Sequence, residues 1–380
     1  MIVRPFQVRV PDSVLVDLRE RIKKTRWPDE VSGSGWAFGT SLSYMKELAG
    51  YWLNEFDWRE TEKTINRYPN LIAEIDGYKI HFLHVRGTGK TSLPLMLIHG
   101  WPGSFLEMMK LIPLLTSNPG MTFEIVIPSL MGYGFSQKVT TPGCGIQFMA
   151  DVFSSLMSGL GYEKFGIHGG DFGSGVGTAL ALKYPDRVLG LHLNNIEGYY
   201  RPFLPEGMSL SQEETAFERQ AEEWYDKEGA YSHQQRTKPL TVAYGLNDSP
   251  VGLCAWILEK FYGWSDCKEN IERVFTKDEL LSNVTLYWIT QTVHSSFRLY
   301  HESRKTPLHF TEDEFVRVPV GIVRFPLEDP FPPRKYIERG YNVQHWTDMP
   351  SGGHFAAMEQ PELLAKDIFK FFDSSRRGGG

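Results

Sequence analysis

GIHGGDFGSGVG, residues 166–177, carries the frame G-x-D-x-G at Gly169–Gly173. The run KFGIHG before it predicts a short buried strand, and FGSGVGTALALKY after it predicts a helix. A strand-to-helix turn framed by glycines lifts one side chain clear of the backbone. It also sets that side chain beside the free N–H groups of a helix N-terminus, as in the G-x-S-x-G nucleophile elbow. Here the lifted residue is Asp171, a carboxylate in the place of the motif's serine. Gly173, Ser174, Gly175 and Gly177 are small enough to let the helix lie close to the sheet. The competing reading is an aspartate that only caps the helix.

Outward from the elbow, short apolar runs alternate with helical patterns. LPLMLI (93–98), FEIVIPSL (123–130), VLGLHLNN (188–195), VPVGIVRFP (318–326) and YNVQHWTDM (341–349) read as strands. FLEMMKLIPLL, residues 147–160 and QPELLAKDIFKFFDS read as helices, so the class is α/β with a mainly parallel sheet. LIAEIDGYKIHFLHVRG reads as a hairpin around Asp76–Gly77. Its His81 and His84 lie three apart on a strand and face opposite ways, a poor metal pair. Residues 1–70 predict a helical N-terminal segment, with PDSVLVDLRERIKKTRWPDE as its first helix. Residues 71–198 and 306–374 form the two parts of the core, 199–305 a helical insertion rich in aromatics, and 375–380 a disordered tail.

The 380 residues are 41% apolar with a formal charge of −6, enough for a sizeable core and without a basic stripe for nucleic acid. Cys144, Cys254 and Cys267 are too few and too scattered for a disulfide scaffold or structural zinc. No run reaches the roughly 18 apolar residues of a membrane span, and MIVRPFQVRV is not a signal peptide. A cytoplasmic protein is expected, with a homodimer as the commonest assembly.

Two further segments bear on Asp171. IHGWPGSF, residues 98–105, follows a buried strand and resembles the oxyanion loop of α/β-hydrolases. Its contribution is the Trp101 backbone N–H, paired with that of Phe172; an ordinary Pro-Gly turn is the alternative. In MPSGGHFAAMEQPELL, His354 follows two glycines on a predicted loop and is preferred as base over His168, His192, His294 and His345. A third group must orient the imidazole. The chain order nucleophile, acid, histidine places it after the late strand, at Glu328 or Asp329, and sequence physics does not choose between them.

A carboxylate suits attack on an sp³ carbon bearing a leaving group, as in an epoxide or an alkyl halide, giving an ester on Asp171. A histidine then activates water against that ester. A departing halide calls for polarised donors such as an indole N–H, which Phe172 lacks. An epoxide alkoxide calls for acidic hydroxyls, and Tyr231 in GAYSHQQ and Tyr300 in LYHES stand in suggestive settings. No metal or organic cofactor is needed; the reactants are a small epoxide and water.

The chain resembles the microsomal type of epoxide hydrolase in segments that run in order from about Phe6 to Phe372. They include FQVRVPDSVLVDLRERIKKTRWPDE, YWLNEFDWRETEKTINRYP, HGWPGSFLE, GGDFGS, LNDSPVGLCAWILEKF, FPLE and GGHFAAMEQPELLAKDIFKF. The resemblance implies an α/β-hydrolase fold with a helical lid insertion and a helical N-terminal extension wrapping core and lid. It implies Asp171 as nucleophile, His354 as base, Glu328 as charge-relay acid, and Tyr231 and Tyr300 as the pair holding the epoxide oxygen. Phe172 departs from a frequent tryptophan, which should matter little for a backbone donor. Microsomal relatives carry a membrane anchor before the FQV stretch. This chain begins almost at that stretch, so the soluble microbial members are the expected likeness. Detoxification, aromatic-hydrocarbon catabolism and antibiotic biosynthesis are all open settings. A haloalkane dehalogenase is the alternative.

Overall fold

A computed structural model describes residues 1–377 apart from Lys90, Pro119, Glu197, Tyr199 and Asp329. In chain order the strands are β1 Ile2–Phe6, β2 Asn70–Ile75, β3 Tyr78–Val85, β4 Thr91–Ile98, β5 Met121–Pro128, β6 Phe165–Gly169, β7 Val188–Leu193, β8 Val316–Arg324 and β9 Tyr341–Asp348. They form one sheet in the order β1-β2-β3-β5-β4-β6-β7-β8-β9. β5 through β9 run parallel, while β1, β2 and β3 pair antiparallel and β3 joins β5 antiparallel. The central strands are apolar on both faces because both are covered. Ile167 faces Gly177 of the helix after the elbow, and its neighbour Gly166 faces Phe372 of the C-terminal helix on the opposite side. The β2–β3 hairpin turns on Asp76 and Gly77, with φ of 51° and 84°, the left-handed pair that a two-residue turn requires.

Helices α1 Asp12–Lys23, α2 Leu42–Asn54 and α3 Trp58–Asn66 precede β2. The N-terminal segment is not wholly helical, as its sequence suggests: β1 adds an antiparallel edge strand to the sheet. IVRPF is mostly exposed and holds a proline, which an edge strand tolerates but which leaves no buried alternation to read. Helices α4 Leu111–Thr116, α5 Ile146–Gly159 and α6 Phe172–Lys183 belong to the core, with a 3₁₀ turn at Phe105–Lys110 leading into α4. Six helices then separate β7 from β8: α7 Gln212–Glu228, α8 Ala230–Thr237, α9 Pro239–Leu246, α10 Pro250–Gly263, α11 Lys277–Thr290 and α12 Val293–Ser303. α13 Arg334–Glu338, α14 Ala356–Glu359 and α15 Pro361–Arg377 complete the chain. The end of α15 enters the expected tail, whose Gly378–Gly380 lie outside the described residues.

The N-terminal segment is tied to the insertion by polar contacts. Arg21 pairs with Asp248 at 2.7 Å, Thr40 Oγ1 donates to the Ala255 carbonyl at 2.7 Å, and Tyr51 donates to Asp278 at 3.0 Å. Lys277 reaches Glu47 at 2.5 Å and Thr61 meets Ser282 at 2.8 Å. Arg339, just past α13, clamps the buried Glu214 of α7 at 2.6 Å, tying the insertion to the core. His81 and His84 do face apart. His81 is buried between Asn70 and Ser129, and His84 meets the Tyr162 hydroxyl.

Candidate active site

The turn between β6 and α6 puts Asp171 at φ 49° and ψ −130°, the strained left-handed side that only tight surroundings enforce. Those surroundings leave no slack. A Cβ on Gly100 would lie 2.3 Å from the Asp171 carboxylate, and one on Gly173 would lie 2.0 Å from the Ile98 carbonyl. The Trp101 and Phe172 N–H groups both donate to Oδ1 of Asp171, at 2.8 and 2.7 Å. Capping and positioning therefore coincide, because the N–H that Asp171 caps is one of the two that orient it. α11 steadies the other, with Asn283 Nδ2 donating to the Pro102 carbonyl and Tyr287 to that of Gly103, each at 2.8 Å. Burial pushes the Asp171 carboxyl up, and His354 and the two N–H donors oppose that rise.

The second carboxylate oxygen, Oδ2, lies 3.7 Å from His354 Nε2. His354 comes from the loop after β9, and its Nδ1 meets Glu328 Oε2 at 2.8 Å. The other oxygen of Glu328 accepts from Asn195 Nδ2 at 2.6 Å. Burial would lower the imidazole, but Glu328 and then Asp171 and Glu107 reverse this and hold it at about 9. Asp329, the alternative acid, lies outside the described residues. The competing histidines point elsewhere. His168 and His192 meet through their Nδ1 atoms at 2.9 Å beneath the elbow, and Asp367 of α15 binds both His192 and His345 at 3.0 Å. His294 sits beside Arg298.

Tyr231 and Tyr300 reach the same pocket from α8 and α12. Tyr231 stacks on Trp101, with ring centroids 5.2 Å apart and planes within 8°. Tyr300 stands edge-on to Phe172 at 4.6 Å, and the two tyrosine rings lie 6.0 Å apart and nearly perpendicular. Phe217, Trp224, Tyr225 and Trp264 extend the aromatic lining of the pocket. Six of the seven candidate residues named from the sequence thus line one cavity, and the seventh, Trp101, holds Asp171 from behind it. Two contributors went unread. Asn195 lies in the bend just after β7, a setting where asparagine usually only makes a turn, and Trp264, 5.1 Å from the His354 ring, was one aromatic among many. Burial also raises Glu107 to about 8 and Glu359 to about 7, two acids near the histidine that no motif marked.

A central sheet of this order with a carboxylate elbow, paired N–H donors and a histidine–carboxylate pair defines an α/β-hydrolase with an aspartate at its elbow. Family models agree: that for the epoxide hydrolase N terminus matches residues 3–108, and that for the alpha/beta hydrolase fold matches residues 93–240. Epoxide hydrolase 1 of Sus scrofa is 40% identical, over 97% of this chain and 88% of its own. Among solved structures, juvenile hormone epoxide hydrolase from the silkworm Bombyx mori has a TM-score of 0.86 at 33% identity, covering 99% of this chain and 94% of that one. Aspergillus niger epoxide hydrolase has a TM-score of 0.85 at 32% identity, covering 99% and 97%. The chain belongs to the epoxide hydrolase family. Its substrates are accordingly an epoxide and water, and the haloalkane dehalogenase alternative is not favoured. Among the described residues no helix is long and apolar enough to cross a membrane, and no cluster of His, Cys, Asp and Glu is placed to hold a metal ion.

Proposed function

We propose that this enzyme opens its epoxide through a covalent ester on Asp171. The observation that carries the reading is the division of labour between the carboxylate oxygens. Two N–H groups hold Oδ1, and Oδ2 is turned toward His354. In the first step Oδ2 attacks an epoxide carbon, the C–O bond breaks, and the departing alkoxide takes a proton from Tyr231 or Tyr300. The ester carbonyl oxygen is then Oδ1, already between its two donors. In the second step His354 Nε2 takes a proton from water, and the hydroxide attacks the ester carbonyl carbon. Negative charge collects on Oδ1, where the Trp101 and Phe172 N–H groups stabilise it. Collapse leaves the added hydroxyl on Asp171 as a carboxylic acid and releases the diol, whose alkoxide His354 protonates. The carboxyl proton then passes through solvent to the tyrosine phenolate, restoring both groups. Glu328 fixes the imidazole's orientation and stabilises its charged form.

The steps are coupled electrostatically. While Asp171 is charged it helps hold His354 protonated, at about 9. Esterification removes that charge and so lowers the imidazole's hold on its proton, which favours its acting as a base on the ester. Helices α7–α12 act as the lid. The aromatic lining favours aryl or otherwise bulky epoxides of the styrene oxide kind, whose clearance would be a detoxifying role. A cytoplasmic location rests on the free state of Cys144, Cys254 and Cys267, and a homodimer on the prevalence of two-fold assemblies. Cell fractionation and light scattering check these two points.

The test is the intact mass of His354→Gln, quenched in acid seconds after mixing with styrene oxide and with alkyl and cyclic epoxides. A gain of one epoxide mass is expected, and it should vanish when Asp171→Asn is added. A folded His354→Gln that gains no mass with any of them would overturn the ester mechanism.

A further inference from the structure

Lys260 of α10 takes no part in the chemistry above, yet its position is unusual for a lysine. Its side chain is only 6% exposed. The ammonium lies 4.5 Å from the centre of the Tyr231 ring and 5.5 Å from that of Trp264. Its ionic partner is the adjacent Glu259, whose side chain is 29% exposed. Burying an ammonium is costly unless it is paired, and Glu259 and the two ring faces supply that compensation. The cation is shielded from water while its counter-ion is partly solvated, so water screens the carboxylate's field more than the ammonium's. The ammonium therefore contributes a positive field at the face of the Tyr231 ring that its partner offsets only in part.

We propose that Lys260 is an electrostatic positioning residue for epoxide opening, its buried ammonium favouring proton donation from Tyr231 to the departing alkoxide. In the opening step the Asp171 Oδ2–carbon bond forms and the epoxide C–O bond breaks. The alkoxide oxygen takes the Tyr231 proton, and the O–H bonding pair remains on the phenolate, which regains a proton from solvent before the next turnover. A cation over the ring face is attracted more strongly to the electron-rich phenolate than to the neutral phenol, so the interaction grows as the bond breaks. The same ammonium should matter little once the ester exists, because hydrolysis runs through His354 and Oδ1. Stacking on Trp101 fixes the ring beneath the cation, which makes the effect specific to Tyr231.

The inference rests on the ester mechanism, and the experiment separates the two. In a His354→Gln background, where the ester accumulates, its rate of formation from styrene oxide is followed by quenched intact mass. Lys260→Met, which keeps the stem and removes the charge, should slow ester formation roughly tenfold. Lys260→Arg should restore most of the rate. With His354 intact, the decay of pre-formed ester should be unchanged by either substitution. Glu259→Gln, which leaves the cation in place, should form ester at least as fast as its parent, and this keeps the test decisive if Lys260→Met does not fold. Unchanged ester formation in Lys260→Met, equal slowing of both steps, failure of arginine to restore the rate, or slower formation in Glu259→Gln would each overturn the role of Lys260. Absence of ester in the His354→Gln parent would instead overturn the mechanism beneath it.

Discussion

On the sheet side of the pocket, hydrogen bonds fix the Asp171 carboxylate and the His354 ring: the Trp101 and Phe172 N–H groups hold Oδ1, and Glu328 holds the imidazole. On the insertion side, Tyr231 and Tyr300 pack their rings against Trp101, Phe172 and each other. Hydrogen bonds set atoms to within tenths of an ångström, whereas ring packing sets planes and tolerates sliding. The first arrangement suits an ester whose geometry is the same for every substrate. The second suits an epoxide oxygen whose position varies with the substituents it carries.

The contrast predicts that sheet-side changes act on hydrolysis and insertion-side changes on opening. The largest effect is expected for Glu328→Gln, which should slow ester decay on the order of 10²–10³-fold while leaving ester formation nearly intact. Single-turnover quenching reads both rates, and an equal loss in each would erase the distinction. Tyr231→Phe and Tyr300→Phe should each slow ester formation about 10- to 100-fold, with ester decay unchanged. Each should also show a larger loss with some epoxides than with others, because the rings share the oxygen unevenly.

Acidity sharpens the comparison. The free enzyme holds His354 at about 9, so hydrolysis of the ester, where Asp171 is neutral, should reach half its plateau at a pH below 9. Because the folded value is raised above the ordinary 6.5, the pairing stabilises the fold fully below pH 6.5 and is lost as pH rises through about 9. Thermal melts of the parent against His354→Gln across that window should show the parent's advantage shrinking with pH. The smallest effect is expected far from the chemistry. Glu214→Gln leaves Arg339 without its carboxylate and should cost about 2–3 kcal/mol in denaturant unfolding, with little change in either chemical step.

Much of the sheet side was legible in the chain. The glycines around Asp171 and before His354 mark places where backbone must bend sharply beside a reactive group, and parallel strands announce themselves as apolar runs. The choice between Glu328 and Asp329 was not legible from physics, since two adjacent acids after one strand differ only in which way the turn points them. β1 escaped notice because an exposed five-residue edge strand has no buried face to leave a pattern. The insertion side was harder. Among seventeen tyrosines the local settings of Tyr231 and Tyr300 are no more than suggestive, and their meeting depends on how α8 and α12 cross. Lys260 was invisible for the same reason, since a lysine on an amphipathic helix reads as a solvated face.

The ties from α1, α2 and α3 to the six-helix insertion have a consequence for anyone recombining these enzymes. Arg21, Thr40, Glu47, Tyr51 and Thr61 each contact a residue of the insertion. The structural unit formed by these helices and the insertion is therefore discontinuous in the gene. A chimera that exchanges the stretch between β7 and β8 alone would bring a new roof to an old scaffold whose fastenings no longer match. Moving both pieces together preserves the fit.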